Sequence, residues 1–254
     1  MKSAAGKPLS IGLFSMWGDT RLVVLTAVIA AIHASAVIPF KVFPFLPGVT
    51  DLRPAMALPV VFSILFGPAA AWGAAIGTAI SDLFGSLGPG SAFGFLGNLL
   101  YGWLPWRIWH IWHQGQPRFR TASEWAAYSL CAVAASGACA LTIGWGIHVL
   151  RLYHFASTTG LILANNVIMS FVLAPPLLLA VGPRVARMGL TLSAPPGRMH
   201  SGGVAKALSA TVALIALGGI LAGYSVWLAA APDSTVTLAV APFLAALVLA
   251  IALL

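Results

Sequence analysis

Apolar residues run along this chain in long, nearly unbroken stretches, separated by short polar or Pro/Gly-rich breaks. A bilayer-spanning helix needs about 20 mostly apolar residues. The first such run follows Arg21 and reaches Pro39 (LVVLTAVIAAIHASAVIP), so residues 21–39 read as a first span. Residues 40–53 (FKVFPFLPGVTDLR) form a Pro-rich loop. From Pro54 the chain stays apolar to Phe84, interrupted at Phe66-Gly67-Pro68, a turn signal. The pattern predicts a short second helix over 54–66 and a third over 69–85. A turn at 86–91 leads into span four over 92–109, and a basic loop over 110–124 precedes span five over 125–149. After a short loop at 150–157, span six covers 158–182. Residues 183–206 are Pro/Gly-rich and basic, and spans seven and eight, over 207–230 and 235–254, flank a turn at Pro232-Asp233. A membrane barrel would show ~10-residue alternating segments; these runs do not alternate. The expected fold is all-α, a polytopic membrane helical bundle.

Composition sharpens that picture. Hydrophobic residues make up 60% of the chain and charged residues 7%, against about a quarter charged in soluble domains. Such a chain cannot cover its surface with polar groups, so lipid is its solvent. The formal charge of +8 does not point to nucleic acid, because the basic residues sit between apolar runs, as topology signals do. With the N-terminus placed in the cytoplasm, Lys2, Lys7, Arg21, Arg107, Arg118, Arg120, Arg184, Arg187, Arg198 and Lys206 fall inside, and Lys41, Arg53 and Arg151 outside. Treating 54–85 as one helix would flip the 107–120 cluster and spoil the bias. A rival for the first run is a signal peptide cleaved after Ala34-Ser35-Ala36. Cys131 and Cys139 lie eight residues apart in one run, which a straight helix cannot bridge.

Candidate chemistry lies in the polar residues at membrane depth, each of which is expensive there. Asp82 sits inside an apolar segment near the outer end of span three, while Arg53 opens span two at the same face. Asp82 reads either as a solute contact or as a helix cap and partner for Arg53; the two are compatible. Asn165 and Asn166 lie well inside span six and Asn98 inside span four near Tyr101; each reads as interhelical glue or as a ligand contact. His33 lies in the outer half of span one. Trp72, Tyr101 and Trp145 offer faces for stacking on a flat heterocycle. No metal-ligand spacing, Walker loop, H-E-x-x-H or G-x-S-x-G occurs. No catalytic role or cofactor is expected, and the chain cannot hydrolyse ATP by a P-loop mechanism.

Several of these residues fall in one pattern. Asp51-Leu-Arg-Pro through Leu65-Phe-Gly-Pro68, then Gly73, Gly77 and Ser81-Asp82-Leu-Phe-Gly85, then Phe93-Gly-Phe-Leu-Gly-Asn98-Leu-Leu-Tyr-Gly102, with Asn165-Asn166 further on, resemble the S components of energy-coupling factor transporters. The resemblance covers about residues 20–187. It departs at Ser81-Asp82, where Gly-Asp is commoner, and in two extra helices after residue 205. It implies a six-helix core that captures a vitamin or related micronutrient at the outer face of the cell membrane, then works with a T subunit and cytoplasmic ATPases. Arg53, Asp82, Asn98, Tyr101, Asn165, Asn166 and His33 would form the substrate site. The small-residue face of span one, Ala27, Ala30, Ala31 and Ala34, would dock the T subunit. The expected organisation is a tail over 1–20, the core over 21–187, a linker over 188–206 and two added helices over 207–254. A solitary secondary transporter and a ligand-sensing membrane module stay open as alternatives.

Overall fold

The computed structural model describes residues 12–42, 53–85, 87–113, 115–192, 202–229 and 233–254. Asp51, Lys2, Lys7 and Arg198, with most of the expected tail and first loop and about half of the expected linker, lie outside the described residues. Among the described residues the chain is helical: α1 Thr20–Val42, α2 Ala57–Phe66, α3 Pro68–Asp82, α4 Ser91–Trp112, α5 Ala122–Val149, α6 Phe155–Val172, α7 Ala174–Arg187, α8 Gly203–Leu228 and α9 Asp233–Leu253. Five of these (α1, α5, α6, α8 and α9) are long and apolar enough to cross a membrane by themselves. The expected helical bundle is what forms. The 10-residue α2 and 15-residue α3 make the short hairpin that Gly67-Pro68 predicts. Gly67 takes φ 58°, a region glycine enters without penalty, and Pro68 starts α3 where its missing N–H is not needed.

The predicted sixth span does not run unbroken from 158 to 182. It divides at Leu173 into α6 and α7. Pro175 and Pro176 carry no N–H for the carbonyls one turn back, and their rings crowd that turn. Prolines elsewhere are absorbed. α1 continues through Pro39 to Val42, three residues past the predicted end. In α4, Pro105 is followed by Trp106, whose backbone N–H donates to Ser63 Oγ on α2 at 2.9 Å. A neighbouring hydroxyl thus meets a backbone group that lipid could not.

Small residues set the spacing between helices. α1 lies against α3 so closely that a Cβ on Gly77 would stand 2.8 Å from the Ala30 carbonyl oxygen. A Cβ on Gly102 of α4 would stand 2.7 Å from the Ala71 Cα of α3. Ala30 and Ala34 are buried in this packing, so the motif Ala34-Ser35-Ala36 lies inside a helix integral to the bundle. α5 begins with a capping box: Thr121 Oγ1 accepts from the Glu124 N–H, and Glu124 accepts from the Thr121 N–H. α8 and α9 pack on each other, and both lie against α5.

Successive spans alternate in direction, with α6 and α7 together making one span, which gives the bundle two chemically different ends. One end carries Arg21, Arg107, Arg118, Arg120, Arg184, Arg187 and Lys206; the other carries Lys41, Arg53 and Arg151. The basic end is closed: the chain after α7 passes beneath the α2–α3 turn, where the Leu192 N–H donates to the Leu65 carbonyl at 2.9 Å. The Arg21 guanidinium donates to the Gly189 carbonyl beside it.

Candidate functional site

At the other end the bundle opens into a cavity of about 600 Å³, within the range of small-molecule sites. Its walls come from α1, α3, α4, α5 and α6 and from the residues just before α2. The residues recur at helical spacing: Thr78 and Asp82 on α3; Ser91, Gly94 and Asn98 on α4; Cys139, Ile143 and Ile147 on α5; Thr158, Leu161, Ile162 and Asn165 on α6. Steps of three and four bring side chains onto one helix face. Four helices therefore turn a mixed polar and apolar stripe toward one space.

Of the residues singled out in the sequence, Arg53, Asp82, Asn98, Asn165 and Asn166 line this cavity together. The Asn165 Oδ1 accepts from the Arg53 backbone N–H at 2.9 Å, which fastens the start of α2 to α6. The Asn98 side-chain N–H donates to the Gly94 carbonyl at 2.9 Å. A carbonyl can only accept, so this bond fixes the amide orientation. It leaves Asn98 Oδ1 with no hydrogen-bond partner within the protein. Asn166 Nδ2 likewise has none. The Cys139 thiol sits against the Asn166 side chain at the cavity wall. Both amides are nearly fully buried. An unmatched buried polar group costs about 1–3 kcal/mol, and these two atoms belong to residues that line the cavity.

Tyr101 and His33 stand behind the wall. Tyr101 is fully buried, and its hydroxyl lies 2.9 Å from the Met56 carbonyl, 3.2 Å from the Asn166 carbonyl and 2.8 Å from Ser170 Oγ. Its hydrogen-bonding capacity is used by the protein. His33 Nε2 lies 3.3 Å from Thr78 Oγ1, so it reaches the cavity through a lining residue. The aromatics expected to stack are elsewhere: Trp72 packs with Phe14, Trp17 and Phe95, and Trp145 donates its indole N–H to the Thr237 carbonyl of α9. Tyr153, in the α5–α6 turn, is an aromatic residue at the rim instead.

Thr78, Ser91, Thr158 and Tyr153 were not singled out in the sequence. The first three are legible only by spacing, four or seven residues from Asp82, Asn98 and Asn165. The four alanines of α1 divide between two faces. Ala30 and Ala34 are buried against α3, whereas Ala27 and Ala31 are exposed, flanked by exposed Val24, Val28 and Ile32.

Residues 23–183 match the model of the QueT transporter family. The chain belongs to the QueT transporter family. This is a family of S components of energy-coupling factor transporters, substrate-capture components for a small micronutrient. The match takes in every helix that walls the cavity, α1 to α6, and nearly all of α7. It leaves out α8 and α9. Comparison with curated proteins and with solved structures gives no match. Membership in the QueT family places the chain in a membrane and points to transport rather than catalysis.

Proposed function

We propose that this chain captures a queuosine precursor at the outer face of the cell membrane and delivers it inward together with a T subunit and cytoplasmic ATPases. The carrying observation is the cavity, whose largely apolar wall includes Asp82, Asn98 and Asn166. A purine-like base presents ring and amino N–H groups beside a carbonyl. The Asp82 carboxylate and Asn98 Oδ1 accept from the former, and Asn166 Nδ2 donates to the latter. Arg53, Asn165 and Thr78 complete the polar wall, while Tyr101 and His33 hold Asn166 and Thr78 from behind.

The orientation rests on charge. Lys and Arg favour the cytoplasmic side of short loops, so the basic end faces inward, with the N-terminus, and the cavity faces out. Substrate capture belongs to the core over 21–187, with 207–254 as an added element. Ala27 and Ala31, the exposed half of the small-residue stripe, are the docking face for the T subunit. Small side chains let a partner helix approach closely.

Detergent-purified full chain should bind a queuosine precursor saturably, and uptake in cells should require the T and ATPase subunits. Vesicles holding this chain alone that accumulate the precursor against a gradient would contradict partner dependence. Uptake that collapses with an ionophore but ignores ATP depletion would support a solitary secondary transporter.

A further inference from the structure

The helices outside the matched family region, α8 and α9, converge on one short stretch of the core. The Tyr224 hydroxyl donates to the Ala156 carbonyl at 2.5 Å. His148 Nε2 lies 3.1 Å from the Asp233 carbonyl, and its N–H donates there in the Nε2-protonated tautomer. The Trp145 indole N–H donates to the Thr237 carbonyl at 3.4 Å. All three tie the hairpin to residues 145–156. The same stretch supplies Ile147, Leu152 and Tyr153 to the cavity wall and rim.

This stretch carries a backbone liability of its own. α5 ends with the Leu152 N–H donating to the Ile147 carbonyl at 3.1 Å and the Arg151 N–H to the His148 carbonyl at 2.9 Å. That pairing is a Schellman cap, whose left-handed position glycine normally fills. Here Arg151 fills it, at φ 55°, in a region that costs a residue with a Cβ about 1–2 kcal/mol. Phe155, just beyond, is buried between His148 and Tyr224, and a Cβ on Gly223 of α8 would stand 2.2 Å from its Cε1. The strained turn is thus held from outside by α8 and α9.

We infer that the α8–α9 hairpin is a brace that holds the α5–α6 turn over the cavity and so slows the escape of captured solute, with Tyr224 and His148 as its positioning residues. The escape half of this inference rests on the capture function proposed above. The brace itself is a statement about how often the rim opens.

Cys139, in the cavity wall, reports opening without any ligand. With Cys131→Ser it becomes the sole cysteine of the chain, and its labelling rate by a small water-soluble maleimide can be followed in detergent-purified full chain. Tyr224→Phe and His148→Ala each remove one partly buried hydrogen bond and should speed labelling about five-fold, the population change one such bond is worth. His148→Gln keeps an N–H donor and should label at nearly the parent rate. Ser209→Ala breaks the Trp112–Ser209 bond, 3.0 Å at the basic end, and should leave labelling unchanged. Equal rates in Tyr224→Phe, His148→Ala and the parent would overturn the brace. Equal acceleration in Ser209→Ala would also overturn it, because that marks general loosening. Where a queuosine precursor binds the parent, its dissociation should quicken by the same factor as labelling. If the parent does not bind it, the capture function fails while the thiol rates still decide the brace.

Discussion

Two layers of buried polarity lie one above the other in this bundle, and they behave in opposite ways. In the lower layer, Tyr101, Ser170 and Tyr128 satisfy one another and the backbone: Tyr101 meets Met56, Asn166 and Ser170, and the Tyr128 hydroxyl donates to the Ser170 carbonyl. In the upper layer, at the cavity, Asn98 Oδ1 and Asn166 Nδ2 have no partner within the protein. The lower layer is sealed, whereas the residues of the upper layer line the cavity. A polar group sealed within a membrane bundle is glue when its neighbours meet it. Where its residue lines a cavity instead, it is a candidate contact for the solute proposed above. Unmatched atoms do occur away from the cavity, at Trp106 Nε1 and Gln116 Nε2, so lack of a partner marks a site only where an enclosed space adjoins it.

The contrast breaks most sharply at Asp82. Replacing it with Ala removes a charged acceptor, and affinity for a queuosine precursor should fall roughly 10- to 100-fold, by isothermal titration of the purified chain. Asn166→Leu should weaken binding about tenfold. It should also raise the thermal midpoint of the ligand-free protein, since an unmatched buried donor is gone. Tyr101→Phe should do the reverse: stability falls by about 1–2 kcal/mol while affinity stays near the parent value. Opposite signs from two neighbouring residues would be hard to obtain if both layers served the same purpose. The smallest effect is expected at Arg151→Gly. Relief of the left-handed turn, set against the greater freedom of glycine when unfolded, should stabilise the fold by about 0.5 kcal/mol; chemical denaturation would show it.

Much of the architecture was legible in the sequence because lipid demands long apolar runs and tolerates few breaks. The Gly67-Pro68 hairpin was visible for that reason. The break at Leu173 was not, because Pro175-Pro176 sit within a run whose hydropathy barely changes, although their missing N–H groups end the helix. The cavity was legible in part. Asp82, Asn98, Asn165 and Asn166 stand out as costly residues at depth. Thr78, Ser91 and Thr158 do not, since a helical hydroxyl can satisfy itself on its own backbone, as Thr26 does on Leu22 and Thr142 on Ala138. Tyr101 shows the limit most clearly. Its sequence signal matches that of Asn98, and only the positions of Met56 and Ser170 show that it is already paired. The division of the α1 alanines was hidden too, because Ala27 and Ala30 look alike until α3 covers one of them.

The most direct test is the thermal midpoint of the Asn98→Leu/Asn166→Leu double variant, with and without a queuosine precursor, beside the parent. The parent should gain stability with the precursor, as any ligand that binds only the folded state requires. The double variant should be the more stable of the two without the precursor and should gain little from adding it. A double variant that melts below the parent yet rises as far with the precursor would show that these amides hold helices together rather than meet a solute.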